Sequence, residues 1–111
     1  MSIPQMAELK LLHNGVCRAL GEPKRIQMLY ALNERPCHVT ELAERLEMPQ
    51  STVSRHLAVL RQTSLVNTQR EGAATIYSVA EPRIIKVLDL MRDILRKQME
   101  RQVTTLEGTD T

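Results

Sequence analysis

From Gln50 to Gln69 the chain carries arginine, glutamine, serine, threonine and asparagine but not one carboxylate. If this stretch opens with a helix, about 3.6 residues per turn puts Ser51, Arg55, Ala58 and Gln62 on one arc, flanked by Gln50, Ser54 and Arg61. Small and hydrogen-bonding side chains with arginines suit a surface pressed against phosphates and base edges. Arginine pairs with guanine there, and glutamine with adenine. A merely solvated face usually mixes signs, as the rest of this chain does, so the arc points to DNA contact. His56 sits where the arc meets the inward stripe and fits either a DNA contact or a structural place. Arg70 lies next to a glycine turn, where a basic side chain reaches a neighbouring groove or phosphate.

A second set of residues has the chemistry of a sensor. His13 and Cys17 share one helical face, and Cys37 and His38 are adjacent. Together they offer a tetrahedral nitrogen and sulfur set for a metal or metalloid ion. The two thiols alone make a redox switch if their Cα atoms come within about 7 Å. The third reading is packing, with Cys17 a small buried hydrophobe and Cys37 a loop thiol. Cys37, in an extended link, is expected to react faster than the helical Cys17. Catalytic patterns are missing: there is no glycine-rich phosphate loop, no nucleophile elbow and no HExxH. No enzyme activity, cofactor or assigned metal centre is expected. Two tyrosines without phenylalanine or tryptophan argue against RNA or single-stranded partners, which are read by exposed aromatics.

The elements that must hold these residues follow from apolar spacing and breakers. Leu42, Ala43 and Leu46 mark one short helix; Val53, Leu57 and Leu60 mark the inward stripe of a second. Between them Pro49 lacks an N–H and disfavours a helical Met48, so the pair is a helix-turn-helix. Residues 4–20 read as a first helix, with Met6, Leu9, Leu12, Val16 and Leu20 on one side and Gly15 weakening it by about 1 kcal/mol. A helix over about 23–33 carries Ile26, Leu29, Tyr30 and Leu32. Lys24 and Arg25 in its first turn oppose the helix dipole, which leaves either a partner anion or a small tolerated cost. Residues 35–39 form an extended link or edge strand. Leu65–Arg70 and Ala74–Val79 are strand-like runs joined at Glu71-Gly72-Ala73, a hairpin wing. The last helix spans 82–103, and its stripe (Ile84, Val87, Leu88, Met91, Ile94, Leu95, Met99) is broader than one small domain requires.

A chain of 111 residues is one domain, here 1–103 with a flexible tail over 104–111. Its apolar share of 42% must fill the core with Leu, Ile, Val and Met, a marginal core that a subunit interface would reinforce. The net charge of +2 decides nothing about nucleic acid; the distribution does. Without a long apolar run or a signal-like N-terminus, the chain is expected in the cytoplasm with no membrane partner. Two cysteines do not form a secreted disulfide framework.

The stretch VTELAERLEMPQSTVSRHLAVLRQTSLV, followed by TQREGAATIYSV, resembles the ArsR/SmtB family of winged-helix bacterial repressors over residues 20–95. Glu47 and Pro49 stand where that family usually has a turn glycine and a capping serine. The resemblance implies a mainly α fold with a small β-hairpin, a winged helix-turn-helix dimerising through its N- and C-terminal helices. It implies a homodimeric repressor on a palindromic double-stranded operator, released by an inducer that the sequence leaves unknown. Family metal sensors carry Cys-x-Cys where this chain has His38 and Thr40, or an Asp/His set on a last helix that here lacks histidine. Family redox sensors pair a cysteine at the position of Tyr30 with one in the last helix, which here has none. The rivals are a helical interaction module that ignores DNA and a sequence-neutral architectural DNA binder.

Overall fold

All five prolines stand at a helix start or between elements, where a missing N–H and a fixed φ are tolerated. The computed structural model describes residues 2–109, with side chains through Val103. Its elements are α1 (Met6–Leu12), a π-helical segment (His13–Cys17), α2 (Arg18–Leu20), α3 (Pro23–Glu34), α4 (Val39–Leu46), α5 (Gln50–Gln62), β1 (Val66–Glu71), β2 (Ala74–Val79) and α6 (Arg83–Thr109). The architecture is a winged helix-turn-helix.

The core lies where α3, α4, α5 and the base of α6 meet. Val53, Leu57 and Leu60 are fully buried from α5, with Leu42 from α4 and Met28 and Leu29 from α3. Met28, which the spacing had not singled out, is 0% exposed, while Ile26 and Tyr30 are only partly buried. Ile84, Ile85 and Leu88 close this core from α6.

Both helices of the helix-turn-helix end in the same way. The Met48 N–H donates to the Ala43 carbonyl at 3.0 Å, and the Leu65 N–H to the Leu60 carbonyl at 2.9 Å. These six-to-one bonds enclose a left-handed residue, Glu47 at φ 53° and Ser64 at φ 62°. The pattern is a Schellman ending, in which glycine is the usual left-handed residue. Glu47 therefore holds a glycine-like turn at the cost of some backbone strain. Pro49 is extended (ψ 141°) and stands at the N-cap of α5, just outside the helix.

The wing is a two-stranded antiparallel hairpin from Val66↔Val79 to Glu71↔Ala74, closed by Gly72 and Ala73. Gly72 has φ 64°, as the first central residue of a two-residue hairpin turn requires. The expected edge strand is a single bridge: Cys37 and Tyr77 exchange backbone hydrogen bonds of 3.2 and 2.9 Å. That bridge fixes the wing beside the start of α4.

The two terminal helices differ from their readings. The first is a rod of three parts that docks only by its C-terminal end: Ala19 is buried, whereas Met6 and Leu12 are 64% and 49% exposed. The last helix is held to α3 by Tyr30, whose hydroxyl donates to Asp89 at 2.6 Å and whose ring carries Arg92 at 5.2 Å. The burial of its phenol, with the Asp89 bond, raises the Tyr30 pKa above its ordinary value. Beyond that clasp α6 runs to Thr109, through most of the stretch expected as a loose tail. No breaker precedes Gly108, so the helix simply propagates. The rest of that tail, 110–111, lies outside the described residues.

Candidate nucleic-acid interface

The Schellman turn after α4 and the extended Pro49 orient α5 so that its polar arc is left uncovered. Gln50, Ser51, Ser54, Arg55, Ala58, Arg61 and Gln62 are all exposed. His56 is not among them. It is 7% exposed, and its Nδ1 lies 3.2 Å from Nη1 of Arg25. The structure thus gives His56 a structural place under the arc, because α3 packs over that edge of α5. Burial, and then the Arg25 charge, hold its pKa below the ordinary 6.5.

Two clefts flank the arc. One, of about 560 Å³, lies between the start of α4, the first turn of α5 and β2; Thr40, Gln50, Ser54, Thr75 and Tyr77 are in its walls. The other, of about 450 Å³, includes Ser54, Arg61, Gln62 and Tyr77. Ser54 and Tyr77 face both. Arg70 is exposed on β1 opposite Thr75, near the wing tip. Thr40, Thr75 and Tyr77 were missed in the sequence. Thr75 and Tyr77 share one face of β2 by the two-residue period, so alternation could have flagged them once the hairpin was placed.

Glu41, the neighbour of Thr40 on α4, is paired within the protein. Glu41 accepts two bonds from Arg35, at 2.6 and 3.1 Å, and that pairing lowers its pKa. His38 serves as the N-cap of α4, its Nδ1 accepting from the Glu41 N–H at 3.4 Å.

Residues 22–68 match the family described as bacterial regulatory protein, arsR family. The transcriptional activator HlyU of Vibrio cholerae is 35% identical over 74 residues, covering 67% of this chain and 68% of HlyU. The chain belongs to the ArsR family. Among solved ArsR-like folds, Rv0081 of Mycobacterium tuberculosis superposes with a TM-score of 0.75 at 34% identity, covering 92% of this chain and 99% of that one. Mb0332 of Mycobacterium bovis, a homodimeric winged helix-turn-helix DNA-binding domain, gives 0.74 at 25% identity, covering 91% and 95%. This ArsR-family protein is a DNA-binding transcriptional regulator, so the reading as an interaction module that ignores DNA is not favoured. Among its described residues no helix is long and apolar enough to cross a membrane.

The sensing candidates are not gathered. Among the described residues no group of three or more His, Cys, Asp or Glu could hold a metal ion, so His13, Cys17, Cys37 and His38 form no single set within this ArsR-family chain. Accessibility is the reverse of the expectation: Cys17 is exposed and Cys37 is 2% exposed. The helix that carries Cys17 docks only by its end, whereas the link that carries Cys37 is paired to β2. Arg45 also covers Cys37, with Nη1 3.4 Å from its Sγ. A thiol reagent is therefore expected to modify one cysteine rapidly under native conditions. Cys17→Ser should remove that phase, leaving a thiol that reacts only on unfolding. A fast phase that survives Cys17→Ser would contradict this assignment.

Proposed function

We propose that the protein is a homodimeric repressor that binds a palindromic operator in the cytoplasm, with α5 in the major groove and the wing beside it. One observation carries the reading: an exposed, carboxylate-free arc on α5 flanked by two open clefts. Gln50, Ser51, Ser54, Arg55 and Arg61 are its contacts on α5, and Arg70 is its contact on the wing. The dimer is supported by the exposed apolar face of α6 and by the homodimeric Mb0332. With two copies related by a two-fold axis, the half-sites must be related by the same axis, as inverted repeats. Release by an inducer completes the regulatory reading, and reporter expression with and without the gene reads its direction.

Selection of bound sequences from random duplex DNA yields the operator for the test. Arg55→Ala is expected to weaken operator binding by about 1–3 kcal/mol and to relax preference at one base position per half-site. Arg70→Ala is expected to weaken operator and random duplex alike and to lower the salt slope by about 1. Unchanged operator affinity in both variants would remove the site assignment. A ratio of operator to random affinity near one in the wild type would favour the architectural binder instead.

A further inference from the structure

Arg25 stands in the first turn of α3, yet its guanidinium reaches back to the preceding helix. Its Nε donates to the Ala19 carbonyl at 2.7 Å and its Nη2 to the Arg18 carbonyl at 3.0 Å. Both carbonyls end the N-terminal helical rod, where the helix dipole is negative and a cation is favoured. The third nitrogen, Nη1, lies 3.2 Å from Nδ1 of His56 in the middle of α5. A guanidinium donates and cannot accept, so Nδ1 is the acceptor and the ring proton sits on Nε2. One side chain thus joins the end of the terminal helix to the buried side of α5.

Arg55 is the neighbour of His56 and is exposed where His56 is buried. Any rotation or slide of α5 that Arg25 prevents would displace the Arg55 fork, whose paired contacts with a base edge tolerate little misplacement. We propose that Arg25 is a positioning residue for operator recognition, fixing the rotation of α5 against the N-terminal helix through a neutral His56. The proposal rests on the reading of α5 as the DNA-facing helix.

The chemistry of the contact gives it a signature. A protonated His56 has no acceptor at Nδ1 and would set an imidazolium against the guanidinium. The surrounding charges oppose that proton: Arg25 and Lys24 from α3 and Arg55 from α5 disfavour it, and only the Glu22 carboxylate acts the other way. The contact therefore persists at neutral pH and is lost in acid.

The test measures affinity for the selected operator and for a random duplex of equal length, from about pH 8 down to about pH 5. For the wild type, the operator-to-random ratio is expected to be flat at neutral pH and to fall about tenfold in acid. Taking the ratio cancels the general gain in DNA affinity as other histidines charge. Arg25→Lys keeps the charge and loses the fork, and is expected to lower the ratio about tenfold at neutral pH. His56→Leu should do the same. His56→Asn, which offers an amide oxygen where Nδ1 stands, should recover most of that loss and abolish the acid fall. Thermal melts identify any variant that fails to fold, and the two His56 variants then decide. An Arg25→Lys protein with the wild-type ratio, or an acid fall retained by His56→Asn, overturns the proposal. Arg55→Ala in the same assay separates the two levels: if it leaves operator affinity unchanged, the DNA-facing reading of α5 fails before Arg25 is at issue.

Discussion

Met91→Glu is expected to yield a folded monomer whose operator affinity is at least about a hundredfold weaker. Met91 is 50% exposed, in a run of half-exposed apolar side chains on α6 that includes Val87, Ile94, Leu95, Met99 and Val103. Ile3, Met6, Leu11 and Leu12 are likewise exposed on the N-terminal segment. A monomer rarely leaves so continuous an apolar face in water, and a second copy of the same face would cover it. A glutamate in its middle would have to be desolvated without a partner. The domain itself should survive, because Met91 makes no part of the protomer core. What is lost is the linkage of two half-sites, worth a factor of about 10²–10⁴ for joined binding modules. Sedimentation at micromolar concentration and operator titration check both halves. A wild-type monomer, or a Met91→Glu dimer, would sink the dimer and the palindrome together.

The helix-turn-helix was legible because its signals are local. Val53, Leu57 and Leu60 recur at helical spacing, and all three are 0% exposed. Gly72 marked a turn that demands positive φ, and has it. Arg25 shows where such reading stops. Its place in the first turn of α3 looked unfavourable on the dipole argument, but a long side chain can act on a different helix from the one that bears it. Its guanidinium sits at the negative end of α2, where the same argument makes it favourable. His56 was ambiguous at the edge of the stripe and was decided by the helix packed over it. The two cysteines depart from the sequence expectation for a related reason. A residue on a helix is buried only where that helix docks, and an extended link is buried where it pairs with a strand far along the chain. Neither condition is written in the residues next to Cys17 or Cys37.

Helix α6 has two lengths with opposite sensitivities, and Leu88 tests the boundary. Leu88 belongs to the broad apolar stripe read from sequence spacing, but it is 2% exposed within its own protomer. With Ile84 and Ile85 it packs the base of α6 onto the helical core, next to Asp89 of the Tyr30 clasp. Leu88→Glu is therefore expected to unfold the chain rather than to release a monomer. A domain of this size has about 5–15 kcal/mol of stability in total. Burying a carboxylate without a partner costs a large fraction of that, or forces the helix base to open. Leu88→Ala grades the effect: the lost contacts and the residual cavity should cost about 2–5 kcal/mol. For a domain near this length, that lowers the melting temperature by about 10 °C or more. Far-ultraviolet circular dichroism through a thermal ramp distinguishes the outcomes, run beside Met91→Glu at equal protein concentration. If Leu88→Glu keeps a cooperative melt and sediments as a monomer, its side chain faces the partner and not the core. The packing of α6 onto its own domain would then have to be redrawn.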